Sequence, residues 1–358
     1  MSRRRVFSLL VSVLLVVSIL SAGCAPAQPA STAKRIVAYV PAEPPGPEFA
    51  SALLLGMTFY ADKEGFTFVS TAPPQSDIRR QMEIIETYAA EKVAGIFVWP
   101  IDSDAIASAI ETANKAKVPV IAIDRQINTG ELLATIQSDN AQAARLCAEK
   151  LIEALTGRYG EPRGKVLHLQ AALTTDVRIT RSEEFQKVFK DYPKIEVIVK
   201  QYQANPEIEK ITMDILAANP DVDAIYLIAD TGLNIAAGAL QQTNHWFTRD
   251  DPRHIFTASI DATPVALNQI KAGYYDYSIS QPVLHFGLAS RIMKEYLDKG
   301  TKPKVGDTIT EEGAYWSPAQ VVQGKNGPLI KLQCIVADST NYDSPIQWAN
   351  GLKQWTVK

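Results

Sequence analysis

Cysteine is scarce in these 358 residues: Cys24, Cys147 and Cys334 are the only three. A disulfide-stapled scaffold and a zinc-spaced Cys/His cluster are both excluded. Histidine is nearly as rare, and His168, His245, His254 and His285 share no motif. The chain has no phosphate-cradling G-x-x-x-x-G-K, no H-E-x-x-H and no G-x-S-x-G, so it announces no cofactor, no metal and no familiar hydrolase machinery. Basic charge is also lacking. The formal net charge is −3, and no basic arm is present to hold nucleic acid.

Long apolar runs are missing too, with one exception at the N-terminus. Arg3, Arg4 and Arg5 precede residues 6–20, which are apolar apart from three serines, and L-S-A-G-C follows at 20–24. This pattern reads as an export signal. Its end looks like a bacterial lipobox, in which Cys24 becomes the lipidated first residue of the mature chain. The alternative is an uncleaved transmembrane anchor, although the run is short for a span. Arg4-Arg5-Val6-Phe7 also fits part of a twin-arginine signal, while the very apolar core of the segment favours the general secretory route. Without residues 1–23 the chain keeps 33 basic against 39 acidic residues, a net −6. Residues 24–34 are rich in Ala, Pro, Ser and Gln and read as a tether. Cys147 lies in an apolar helix pattern and Cys334 in a strand-like run; a disulfide between them stays open.

What the chain has in quantity is alternation. At 46% hydrophobic it is long enough for two packed cores. Strand patterns fall at 36–40, 66–70, 94–99, 118–123 and 133–137; helical patterns at 48–63, 77–91 and 104–117 separate the first four, and one at 140–155 follows the fifth. After a charged, glycine-bearing stretch at 157–164 the alternation restarts. Strands are expected at 165–170, 195–200, 223–229, 255–260 and 275–280, with helices at 182–190, 206–218, 233–242, from Pro264 onward, and 282–299. Caps are indicated at Ser76 or Asp77, at 138–140, and at Thr263 before Pro264. Beyond Gly300 only short strand pieces near Thr308 and Val321 and a polar tail are visible. Strands alternating with helices of this length imply right-handed βαβ units and parallel sheets. The expected fold is α/β, with two doubly wound, Rossmann-like lobes.

The chemistry gathers where strands end. Residues 118–126 read V-P-V-I-A-I-D-R-Q: a strand without polar alternation, then Asp124 and Arg125 side by side. Ligands of open α/β sheets sit beyond the carboxyl ends of the strands. An acid and a base are costly to bury there without partners. Asp261 follows the strand F-T-A-S-I, Gln281 follows Y-S-I-S, Asp230 and Thr231 follow A-I-Y-L-I-A, and Arg181 opens the helix R-S-E-E-F. Carboxylates accept from adjacent hydroxyls, and a guanidinium donates from a planar fork. Trp99 ends I-F-V and Phe49 begins the first helix; aromatic faces of this kind pack on the C–H face of a sugar ring. Each has a plainer reading: Asp230 and Asp261 as helix caps, Arg181 as a solvated helix residue, Trp99 and Phe49 as core, Asp124–Arg125 as an ion pair at the domain edge.

These residues resemble the ribose-binding-protein type of periplasmic solute-binding protein, which shares its fold with the lactose-repressor ligand domain. The likeness runs from about Ile36 to Gly300. It rests on V-P-V-I-A-I-D-R, the helix E-T-A-N-K-A-K-V-P before it, I-D-S-D-A-I, S-D-N at 138–140, N-P-D-V-D-A-I-Y at 219–226, A-A-G-A-L at 236–240, D-A-T-P at 261–264 and S-I-S-Q-P at 278–282. The resemblance implies a sugar or polyol ligand held by Asp124, Arg125, Arg181, Asp261 and Gln281, and more loosely by Asp230 and Phe49. Ribose binders carry N-N-P-F-F after the first strand, where this chain has P-P-G-P-E-F. Near their second-domain stacking aromatic it has Gln203 or Asn205. The departures point to a different or larger polyol-like ligand, with Trp99 supplying stacking area.

The resemblance further implies a hinge of three crossings, near 137–140, 280–282 and within 308–322. One lobe would hold residues 35–138 plus 282–315, the other 139–280 plus 316–358. Such a receptor is a monomer without cofactor that closes on its ligand and docks on an ABC permease, its only membrane attachment being the N-terminal lipid. A ligand sensor of the same fold feeding a chemoreceptor or kinase is the first alternative. An enzyme using Asp124 and Asp261 as a glycosidase acid pair is the second. A transcription regulator would need a helix-turn-helix where the export signal stands.

Overall fold

The computed structural model describes residues 34–46, 48–74 and 77–355. The expected export signal, Cys24, nearly all of the expected tether and Ser76 lie outside the described residues. Ten strands alternate with helices along the first part of the chain. They are β1 (Ile36–Val40), β2 (Thr67–Ser70), β3 (Gly95–Val98), β4 (Val120–Ile123), β5 (Ala134–Ser138), β6 (Gly164–Ala171), β7 (Ile195–Tyr202), β8 (Ala224–Leu227), β9 (Phe256–Asp261) and β10 (Tyr277–Ser280). Four more follow: β11 (Thr308–Ile309), β12 (Ala319–Gly324), β13 (Gly327–Leu332) and β14 (Ile335–Ala337). The order in the first sheet is β2-β1-β3-β4-β5-β13-β12-β11, and in the second β7-β6-β8-β9-β10-β14. The first five strands of each sheet are parallel. β3 and β4 are buried at every position, as expected of strands covered on both faces by helices. The architecture is therefore two doubly wound α/β lobes. The strand order reverses at β1/β3 in one and at β6/β8 in the other, and ligand crevices open at such switch points.

The lobe boundary differs from the expectation at the C-terminal end. β12 pairs antiparallel with β13, and β13 pairs parallel with β5, so residues 319–332 extend the first sheet. Only β14 joins the second sheet, antiparallel to β10. The third crossing therefore falls between Leu332 and Ile335, not within 308–322. The run that looks like one strand through Cys334 is broken there and shared between the sheets. The first and third crossings are tied together. Asp139 N–H donates to the Leu332 carbonyl at 2.7 Å, and Cys334 N–H donates to Gln142 Oε1 at 2.8 Å. Cys147 and Cys334 are both buried free thiols.

Local chemistry explains most helix ends. Asp77 accepts from Arg80 N–H at 3.0 Å, Asp139 from Gln142 N–H at 3.0 Å and Thr263 from Ala266 N–H at 3.3 Å. The helix Asn140–Tyr159 runs a turn further than its pattern suggests, because Gly160, at φ 75°, supplies the left-handed cap. The helix Asp176–Val188 starts six residues earlier than expected, capped by Thr175. Residues 282–299 divide into a 3₁₀ segment, Val283–Leu288, and the helix Ala289–Lys299. That segment packs on the helix Phe49–Lys63 at backbone distance: a Cβ on Gly56 would strike the Leu284 carbonyl, and one on Gly287 the Gly56 carbonyl. The tail is not merely polar. Trp348 and Trp355 join the first lobe's core, and Trp355 lies 5.0 Å from Phe59 and 4.9 Å from His285, centroid to centroid.

Close approach through glycine leaves no slack. Gly56→Ala is expected to destabilise the ligand-free protein by about 1–3 kcal/mol, the usual range for overpacking, measured by urea unfolding. An unchanged midpoint would show that the two segments part easily.

Candidate functional site

The strand ends of both lobes line one cavity of about 400 Å³, within the ~300–1,000 Å³ typical of small-molecule pockets. On the first lobe, Gln81 fixes the loops after β1 and β3. It is fully buried on the helix Ile78–Ala90, donates to the carbonyls of Pro41 and Trp99 at 2.9 and 2.8 Å, and accepts from Ile101 N–H at 3.0 Å. Trp99 is thereby held against Phe49, with ring centroids 5.8 Å apart, and the Arg125 guanidinium lies 5.1 Å over the Trp99 ring. Arg125 also donates to the Pro100 carbonyl at 2.9 Å.

Asp124 leaves β4 in a tight turn. Arg125 N–H donates back to the Ile123 carbonyl at 2.7 Å, and Asp124 sits at φ 65°. A three-residue turn of this hand is rare and strained, and such strain concentrates at functional sites. The Asp124 carboxylate is 5% exposed and lies 3.7 Å from Arg125 Nε. Burial pushes its pKa up, with Arg125 and Arg181 opposing that shift.

The second lobe answers with Asp261 at the end of β9, also at positive φ (127°), followed by Ala262 at 51°. Gln281 donates to Asp261 Oδ1 at 2.6 Å, and Arg181 Nη1 lies 3.9 Å from the same oxygen. Arg181 is itself pinned, donating to Asn140 Oδ1 and the Ile228 carbonyl at 2.7 Å each. Burial holds the Asp261 carboxyl well above the ordinary range, against the pull of Arg181 and with Asp230 adding to the rise. Trp99 Nε1 and Gln281 Oε1 are buried and bond to nothing within the described residues. Both side chains line the cavity.

Seven of the eight ligand residues read from the sequence therefore come together: Phe49, Trp99, Asp124, Arg125, Arg181, Asp261 and Gln281. Asp230 does not line the cavity. Its carboxylate is fully buried and accepts from Ser259 Oγ, Ser278 Oγ and Thr263 N–H at 2.5–2.7 Å, tying β9, β10 and the next helix together. Its neighbours Thr231 and Gly232 face the cavity instead. Arg181 lies in the second turn of its helix, not at its start. Glu43, Thr175, Arg178 and Tyr202 line the cavity and were not singled out. Glu43 and Tyr202 were findable by their place at strand carboxyl ends; Arg178 was hidden by the misplaced helix start.

The lobes touch beside the site. Asp176, 4% exposed on the second lobe, accepts from Gln126 N–H at 3.1 Å, Gln126 Nε2 at 2.9 Å and Gln137 Nε2 at 2.7 Å. The Trp348 indole donates to the Asp261 carbonyl at 2.5 Å. Polar strand ends of two α/β lobes facing one cavity define a class of protein by fold, the two-lobed binding protein.

A family model for the periplasmic binding protein domain matches residues 37–302, and the chain belongs to that family. It is 28% identical over 273 residues to the ribose import binding protein of Salmonella typhimurium, covering 75% of this chain and 87% of that one. The D-apiose import binding protein of Actinobacillus succinogenes is 31% identical over 186 residues, 51% of this chain and 57% of its own. Among solved structures, a carbohydrate transporter solute binding protein from Agrobacterium radiobacter in complex with D-arabinose superposes with a TM-score of 0.73 at 18% identity, covering 90% of this chain and 99% of that one.

A carboxyl whose pKa is raised on folding holds its proton more tightly folded than unfolded. Its contribution favours folding at low pH and is lost as pH climbs from about 4, the unfolded carboxylate value, through the raised folded value. Asp124 and Asp261 both shift this way. Thermal unfolding of the ligand-free protein should therefore show Asp261→Asn narrowing the stability difference between pH 5 and pH 7.5. An identical pH profile for parent and variant would mean that Asp261 is ionised as easily as in water.

Proposed function

We propose that the protein is an extracytoplasmic receptor that captures a small sugar or polyol in the inter-lobe cavity and delivers it to an ABC importer. The observation that carries this reading is the convergence of Asp124 and Arg125 from one lobe with Arg181, Asp261 and Gln281 from the other on a single cavity. Paired carboxylates and guanidiniums suit vicinal hydroxyls, and the Phe49–Trp99 wall suits the apolar face of a ring. A ligand touching both lobes binds the closed form better than the open one. That differential contact is what shifts the hinge, and closure of periplasmic binding proteins is a standard instance of such motion. Asp124 and Asp261 each lie beside an arginine of their own lobe, an arrangement for binding more than for catalysis. Relatives named as import binding proteins support the transport role.

A thermal-shift screen tests the reading, using D-ribose, D-apiose, L-arabinose, D-galactose, xylitol and myo-inositol. A ligand at 100 times its Kd adds ~2.7 kcal/mol of stability, and Asp124→Ala is expected to remove that response while the ligand-free variant still unfolds cooperatively. A variant that responds like the parent would place the ligand elsewhere. Attachment is tested separately. Cys24→Ala should move the protein from the membrane fraction to the soluble extract, and retention of the variant in the membrane would rule out the lipid anchor.

A further inference from the structure

The polar groups lining the cavity fall into two sets by exposure. The floor set is nearly out of water: Asp124 at 5% exposed, Arg181 at 4%, Asp261 at 8% and Gln281 at 1%. The outer set is more exposed, and its Arg178 lies one turn before Arg181 on the same helix. Glu43 and Arg178 are half-buried, whereas Gln203 and Asn205, in the loop after β7, are exposed.

Charge distinguishes the sets as well. Three guanidiniums and three carboxylates line the cavity. Asp124 pairs with Arg125 and Asp261 with Arg181. That leaves Arg178 and Glu43, on opposite lobes, with no oppositely charged group within 4 Å among the described residues. Arg178 spends only Nη1, donating to Thr174 Oγ1 at 3.0 Å and to the Ala172 carbonyl at 3.3 Å. It stands in the first turn of the helix Asp176–Val188, where the helix dipole disfavours a cation. It is also close enough to Arg125 for the two to repel. Among the described residues no carboxylate pairs with it, and the nearby Asp176 is taken up by Gln126 and Gln137. The side-chain amides of Gln203 and Asn205 likewise make no hydrogen bond within the described residues.

We propose that the cavity takes two linked units, a neutral disaccharide or glycosyl-polyol, with one unit on the floor and the second between Glu43 and Arg178 under Gln203 and Asn205. The balance of charge favours a neutral ligand: hydroxyls of the second unit donate to Glu43 and accept from Arg178. This inference rests on the cavity being a saccharide site. The floor supplies affinity for the first unit, and the outer set supplies the discrimination for length.

Isothermal titration with single units and their two-unit counterparts tests it: D-galactose and myo-inositol against galactinol, D-galactose and D-glucose against lactose and melibiose, L-arabinose against arabinobiose. At least one two-unit probe is expected to bind about tenfold or more tighter than either component, ~1.4 kcal/mol. Arg178→Ala and Asn205→Ala should bring that ratio below about threefold without lowering the ligand-free melting temperature. Component sugars that bind as tightly as every two-unit probe would overturn the proposal and leave the saccharide reading standing. So would variants that weaken both kinds of probe equally. If no probe binds the parent protein, the saccharide reading itself falls, and the two-unit proposal with it.

Discussion

Keeping ionised groups almost dry at the tips of strands is the constraint on which the structure turns. Removing a carboxylate from water costs several kcal/mol unless charge and hydrogen bonds replace the lost hydration. Asp124 and Asp261 each obtain one arginine at 3.7–3.9 Å, too far for a close charge-assisted hydrogen bond. Burial raises the pKa of both, and the arginines only partly oppose it. Both also occupy strained backbone at positive φ. Buried charged groups on both faces of one cavity are what the proposed ligand between the lobes would engage.

The rest of the molecule holds those tips in place. Two sheets with the same strand order present their carboxyl ends to one gap, so the switch point of each lobe faces the other. Gln81 locks the loops of β1 and β3, and Asp230 locks those of β9 and β10. These two buried polar side chains, one in each lobe, brace the strand ends, and neither lines the cavity. The C-terminal tail adds a connection across the gap. Trp348 belongs to the first lobe's core while its indole N–H holds the Asp261 carbonyl of the second.

Much of the site was legible beforehand because a buried parallel strand leaves a plain signature. V-P-V-I-A-I has no polar alternation, so the acid and base that end it stand out, and Asp261 and Gln281 stand out after their strands in the same way. Asp230 carried the same signature and proved to be a supporting group. A carboxylate at a strand end looks the same in sequence whether it faces a cavity or three internal donors. Arg178 went unread because the helix start depends on Thr175 as cap, a short-range hydrogen bond that competes with several equally plausible caps nearby.

The sequence by itself determined the α/β class, the restart into a second lobe and the strand ends that carry charge, since periodicity and burial follow from residue type along a continuous segment. Only the tertiary structure decided where residues 319–337 go. An apolar run interrupted at Cys334 can serve one sheet or two, and the choice is made by the open edges of β5 and β10, more than fifty residues away in the chain. Likewise, which polar tips see the cavity and which see one another is set by the packing of separate elements, a relation that no local pattern records.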